Sequence, residues 1–246
     1  MRILTERHLV VKLSDLVAIF PHNRMPYDLR FKDDDLVEVG IDETGRGALF
    51  GRMYVGAVVL PNELDCFFDN GAGLSEIKDS KKLTERKRGI LYDYVKECAI
   101  DYSVVWCSNE TIDQYNVLQA DLMTMHKALE SLVVPVQRVL VDGDCWKPWS
   151  GHDDVEVHKV IGGDAKYLAI AGAAILAKVE RDNWVQSVCD EHPEWDVRYS
   201  LRGNKGYGAA KHMAGLKEFG PTPLHRMSFA PCSGGAAVPG KWLGTD

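Results

Sequence analysis

Twice in this sequence a short apolar run ends in an acid followed by a glycine turn: Val39-Gly40-Ile41-Asp42-Glu43-Thr44-Gly45 and Leu140-Val141-Asp142-Gly143. In the first, Val37, Val39 and Ile41 alternate with Glu38, Gly40 and Asp42, the period of a β-strand. A chain that carries carboxylates off the ends of two such strands is expected to build a sheet with a polar edge. The intervening pattern supports this. Met53 to Leu60 reads as a second strand, Thr84 to Cys98 as a helix and Asp101 to Cys107 as a strand. From Ile112, the residues Tyr115, Leu118, Leu122, Met125, Leu129 and Leu132 step by three and four, which predicts one amphipathic helix facing a core. Arg138 to Asp142 and Glu156 to Val160 read as further strands. Asp164 to about Val188 reads as a long helix in which Gly172 lets the helix sit close to the sheet. Strands with interleaved helices give an α/β or α+β layered fold.

The chain has 246 residues, enough for one large domain with appended segments. Hydrophobic residues make up 46% and charged residues 26%, a composition that excludes disorder, collagen and coiled coil. Residues 1–35, with Pro21, Pro26 and the run Lys32-Asp33-Asp34-Asp35, read as an N-terminal extension, 36–231 as one globular unit, and 232–246 as a flexible tail. The six cysteines are scattered, and no apolar run approaches the ~20 residues of a membrane span or the pattern of a signal peptide. A reduced, cytoplasmic protein is the expectation.

Asp42 and Glu43 at one strand end, Asp142 at another and Asp164 at the start of the long helix would converge if the two strands are neighbours. The ordinary reading of Asp164 is a helix N-cap, and strand ends often carry Asp and Gly. Four carboxylates in one place repel unless a cation offsets them, and oxygen-only ligands select Mg²⁺ or Mn²⁺. Two such ions ~3.5–4 Å apart are the common device for in-line attack on a phosphodiester. One feature opposes this: adjacent strand residues face opposite ways, so Asp42 and Glu43 reach one ion only if the turn at Gly45 begins early, or if Glu43 contributes through its carbonyl or to a second ion. A dinucleotide-binding reading of Gly45-Arg46-Gly47-Ala48-Leu49-Phe50-Gly51 fails, because its third glycine is displaced and a strand follows where that motif needs a helix.

The net charge of −7 argues against a nonspecific nucleic-acid binder, but its distribution does not. Lys78 to Arg88 holds six basic residues against Asp79 and Glu85, and Val197 to Lys217 holds Arg198, Arg202, Lys205, Lys211 and Lys217 without an acid. Such runs are often only solvated faces. Beside an anionic centre they suit a phosphate backbone, with Tyr207 offering a stacking surface.

The ordered set of motifs resembles type 2 ribonuclease H, the ribonuclease HII family, over about residues 36–231. It comprises Gly40-Ile41-Asp42-Glu43-Thr44-Gly45-Arg46-Gly47, Asp79-Ser80-Lys81-Lys82-Leu83, Val141-Asp142-Gly143, Gly163-Asp164 leading into Ala173 to Val179, Lys205-Gly206-Tyr207-Gly208, and Thr222 to Phe229. The resemblance implies a ribonuclease H-like fold, a mixed central sheet flanked by helices with a helical C-terminal part. It implies an endoribonuclease that cleaves the RNA strand of RNA–DNA hybrids and nicks 5′ to ribonucleotides embedded in duplex DNA, using a two-metal Mg²⁺ or Mn²⁺ site on Asp42, Glu43, Asp142 and Asp164. Gly45, Arg46 and Gly47 are expected to follow the backbone at the scissile ribonucleotide and sense its 2′-hydroxyl, Tyr207 to recognise the RNA-to-DNA junction, and Ser80 and Lys81 to contact phosphate. Lys178 and Arg226 read equally well as structural. Ala48, Arg52 and Ala174 depart from the family's usual residues without removing a ligand. A monomer without a sliding-clamp motif is expected. The alternatives are a ribonuclease HIII-like hybrid nuclease without junction preference, an inactive hybrid-binding module, and a phosphotransferase acting on small substrates.

Overall fold

The computed structural model describes residues 27–62 and 84–233. Five strands form one mixed sheet: β1 (Glu38–Thr44), β2 (Met53–Val59), β3 (Asp101–Cys107), β4 (Arg138–Asp142) and β5 (Glu156–Val160), in the order β3-β2-β1-β4-β5. β1 pairs antiparallel with β2 and parallel with β4, and β4 pairs parallel with β5. The helices are α1 (Glu85–Cys98), α2 (Asn109–Tyr115), α3 (Val117–Glu130), α4 (Leu168–Glu191), α5 (Pro193–Tyr199), α6 (Leu201–Asn204) and α7 (Ala210–Phe219). None is long and apolar enough to cross a membrane.

The period-two pattern of β1 divides the core. Val39 and Ile41, with Val55, Ala57, Val139 and Val141, pack under Leu122, Met125 and Leu129 of α3. The residues between them face α4, which is buried all round over its first ten residues. That approach is set by glycines on the strands. A Cβ at Gly40 would lie 2.3 Å from the Ala169 backbone, and one at Gly56 2.3 Å from the Ala173 carbonyl. A Cβ at Gly172, expected to provide the closeness, would meet only side chains, Val95 of α1 at a tight 3.3 Å and Val58 of β2 at 3.6 Å, so it contributes less to the approach than Gly40 and Gly56.

The predicted single helix from Ile112 is two helices. Asn116 adopts φ 65°, which ends α2, and its side chain accepts the N–H groups of Leu118 and Gln119 at 3.0 and 3.1 Å, capping α3. The apolar spacing continues across the break although its partners change: Ile112 packs with Met53, Cys107 and Ala120, Leu122, Met125 and Leu129 pack against the sheet, and Tyr115 is exposed, so periodicity alone does not reveal it. At the other end of the sheet, Tyr27 is buried in the α1–α4 core and Arg138, wholly buried, is bonded to Asp34, Glu38 and Glu156. The C-terminal helices pack against the second half of α4 and enclose Leu49 and Phe50, from the turn after β1.

Candidate active site

The parallel register sets Ile41 beside Val141, so the next residues, Asp42 and Asp142, leave neighbouring strands side by side on the α4 face. Oδ1 of Asp142 accepts the N–H of Gly163 at 2.6 Å, which holds the next loop against the strand end. In that loop Asp164 lies in a single 3₁₀ turn, Gly163–Ala165, and not at the start of the long helix as expected. α4 begins at Leu168, and its cap, Tyr167, makes no side-chain capping bond. The capping role is therefore excluded for Asp164, which is buried at 7% exposure. Asp42 is equally buried, and its carboxyl is pushed well above the usual range, first by burial and then by Glu43, Asp142 and Asp164. The four acids named from the sequence thus share one electrostatic site.

Glu43 approaches that site from the other side of the sheet. β1 continues through Thr44 with no early turn, so Glu43 faces α3 while Asp42 faces α4. Burial raises its carboxyl, Arg46 opposes the rise, and Asp142 adds to it. Nη1 of Arg46 lies 3.7 Å from Oε1 of Glu43 and 3.6 Å from Oδ2 of Asp121. Asp121 is a functional candidate absent from the sequence reading. It is 1% exposed, its Oδ1 has no hydrogen-bond partner, and burial beside Glu43 pushes its carboxyl up to about 8. A signal existed: 121 is three residues after Leu118 and four before Met125, an acid on the core-facing stripe of α3.

The glycine turn is held from beneath by two wholly buried arginines, Arg181 and Arg226. Arg181 donates to the carbonyls of Phe50, Arg52 and Lys205, and Arg226 to those of Arg46 and Gly51. Gly45 has φ +91° and a Cβ there would lie 2.2 Å from Nε of Arg181, so this position requires glycine on both counts. Gly47 faces open space. Arg226 is therefore a scaffold for the turn, with its charge lowered toward a pKa of about 10 by burial but retained at neutral pH.

A cleft of about 390 Å³ opens over these groups, lined by Asp42, Glu43, Asp142, Arg46, Lys178 and Tyr207. Asp182 holds two cations at its margin, Nζ of Lys178 at 2.6 Å and Nη1 of Arg88 at 3.3 Å. Of the second basic stretch, only Tyr207 lines the cleft. Arg202 is paired with Asp190 and Asp196, Arg198 lies over the Phe219 ring, and Lys205 is 3.7 Å from Glu85. The acids that pair with Arg202 and Lys205 thus lie before the stretch in sequence. Ser80 and Lys81 lie outside the described residues.

The donor chemistry fits a hard divalent cation: four carboxylates, two deeply buried, with Asp42 destabilised as an anion first by burial and then by the other three. Among the described residues no group of three or more His, Cys, Asp or Glu side chains is already arranged as a metal cage. Part of the reason is local, since Oδ1 of Asp42 accepts the Glu43 N–H at 2.7 Å and Oδ1 of Asp142 that of Gly163.

The profile of the family described as Ribonuclease HII matches residues 39–232. Ribonuclease HII of Lactobacillus johnsonii is 38% identical over 222 residues, covering 90% of this chain and 82% of that one. Ribonuclease HII of Bacteroides thetaiotaomicron is 40% identical over 201 residues, covering 82% and 93%. The crystal structure of ribonuclease H2 from Pyrococcus horikoshii superposes with a TM-score of 0.66 at 24% identity, over 80% of this chain and 95% of that one, a likeness of fold.

Proposed function

We propose a specific reaction for this chain, which belongs to the ribonuclease HII family. As a ribonuclease H it is a hydrolase of RNA in RNA–DNA hybrids. The finer reading is that it also nicks duplex DNA 5′ to a single embedded ribonucleotide, leaving 5′-phosphate and 3′-hydroxyl ends. Water adds to phosphorus, the bond to the upstream O3′ breaks, and that oxygen leaves with a proton. The observation that carries this is that Asp42 and Asp142 each follow the paired residues Ile41 and Val141 on the neighbouring strands β1 and β4, with Glu43 and Asp164 acting on the Asp42 carboxyl, at the mouth of a cleft edged by cations.

Asp42, Glu43, Asp142 and Asp164 would hold two Mg²⁺ or Mn²⁺ ions, which supply charge neutralisation and Lewis acidity at the attacking and leaving oxygens. The remaining work falls to the chain. Lys178 and Arg88, aimed by Asp182, attract backbone phosphate into the cleft. Arg46, between Glu43 and Asp121, stands at the turn where Gly47 leaves room for a sugar edge to approach. Tyr207, 37% exposed with Arg181 beneath its ring at 5.3 Å, presents a flat surface to the nucleotide next to the scissile bond. Ser80 and Lys81 are proposed as phosphate contacts from their motif alone.

The test is a duplex DNA with one central ribonucleotide, incubated with Mg²⁺ and then with EDTA. A single nick 5′ to the ribonucleotide, lost on chelation and bearing a 3′-hydroxyl that a polymerase extends, supports the reading. Cleavage of continuous hybrids with no nick at the lone ribonucleotide would replace it with a hybrid nuclease that lacks junction preference.

A further inference from the structure

Three consecutive carbonyls of the Tyr207 loop are each held by a different element. Lys205 O accepts from Arg181 at 2.8 Å, Gly206 O from the Leu49 N–H at 2.8 Å, and Tyr207 O, which accepts the Ala209 N–H at 2.8 Å within its own loop, is tied to the next helix by Nδ1 of His212 at 2.9 Å. The third bond begins a chain of groups, since Nε2 of His212 lies 2.9 Å from Nε2 of His225, whose Nδ1 accepts the backbone N–H of Thr222 at 2.9 Å and lies 2.9 Å from the Thr222 hydroxyl, which rotates to suit. Both imidazoles are 0% exposed and packed edgewise on Tyr199, and His225 also on Phe50.

The ends of this chain determine every proton in it. A carbonyl only accepts, so Nδ1 of His212 carries hydrogen; a backbone N–H only donates, so Nδ1 of His225 is bare. Neutral His225 then bears its proton on Nε2 and gives it to the bare Nε2 of His212. One tautomer pair satisfies all three bonds, and no other does. We infer that His212 and His225 are positioning residues for junction recognition: a proton-ordered relay from Thr222 that fixes the Tyr207 carbonyl and thereby the ring's place in the cleft. The inference rests on the reading of Tyr207 as the junction residue.

Two near-isosteric variants separate positioning from packing. His212→Asn keeps a donor where Nδ1 stood and retains the bond to Tyr207 O; His212→Gln keeps a group opposite His225 but loses that bond. The expected result is that H212Q lowers kcat/KM on a single embedded ribonucleotide about fivefold relative to a continuous hybrid, the scale of one lost hydrogen bond. H212N should keep the ratio within about twofold. Equal ratios in both variants overturn the inference. Tyr207→Ala run alongside isolates the underlying reading: if it affects both substrates equally, the junction role of Tyr207 fails. The relay itself is then judged by imidazole nitrogen NMR of the unaltered protein, which needs no variant to fold. Hydrogen on Nδ1 of His212 and on Nε2 of His225 supports it, and the opposite tautomer at either ring overturns it.

Discussion

The backbone N–H of Gly163 donates to Oδ1 of Asp142 at 2.6 Å, so the loop bearing Asp164 hangs from the carboxylate that ends β4. Asp142 therefore has two tasks, one structural and one chemical, and a substitution can separate them. Asp142→Asn keeps an oxygen for Gly163 but removes the charge. Its melting temperature should stay close to that of the parent, while cleavage in Mg²⁺ falls by about 10³, the rate equivalent of the several kcal/mol a bound cation contributes. Turnover within tenfold of the parent would remove Asp142 from the proposed metal site.

Tyr207 lines the cleft as an exposed ring, whereas Tyr199, eight residues earlier, is wholly buried. Loss of a base-stacking surface costs about 1–3 kcal/mol. Tyr207→Ala should reduce nicking at a lone ribonucleotide about tenfold and cleavage of a long hybrid much less, because a continuous hybrid offers many registers in which the junction contact is dispensable. Steady-state kinetics on the two substrates provide the comparison.

Asp121 makes a pH prediction. Burial, with Glu43 nearby, pushes its carboxyl from the ordinary 3.8 up to about 8, so the native state binds the extra proton between those values. The sign follows from linkage: stability is greatest below pH 4 as far as this group is concerned, and is lost as pH rises toward 8. Asp121→Asn mimics the protonated form and should escape that loss. In EDTA at pH 8 its melting temperature should exceed the parent's by about 2–4 °C for each kcal/mol recovered, with the gap closing toward pH 5. Parallel curves for the two proteins across this range would show that Asp121 is not strained by its site.

The His212–His225 pair predicts the opposite trend at lower pH. Burial and the neighbouring imidazole push His225 down to about 4, and burial lowers His212 as well. Both remain neutral in the fold while exposed histidine takes a proton near 6.5, so their contribution is complete above pH 6.5 and is lost as pH falls toward 4. His225→Asn removes one of these titrations. The slope of its melting temperature between pH 6.5 and 5 should be shallower than the parent's, and an unchanged slope would mean that the ring titrates freely in the native protein.

The sequence by itself determined the sheet elements, which follow from local rules, and singled out the four acids as candidates. Period two marks β1, apolar runs mark β2 and β4, and an acid before a glycine at a strand end points out of the sheet wherever the strand lies. It left open how Glu43 reaches the site beside Asp42; the unbroken strand through Thr44 removes the early turn and sets the two side chains on opposite faces. Tertiary structure decided what depends on contacts distant in sequence. Asp164 is a turn residue because Gly163 bonds to Asp142, 21 positions earlier, a bond that no helix-capping rule anticipates. The apparent helix from Ile112 breaks at Asn116 without disturbing its apolar spacing. Two of the five cations in the basic run ending at Lys217, Arg202 and Lys205, are paired with Asp190, Asp196 and Glu85, acids invisible within the run itself. Asp121 meets Arg46 only because α3 packs on the face to which Glu43 points, and a carboxylate's chemistry is set by what lies across from it rather than by its neighbours in the chain.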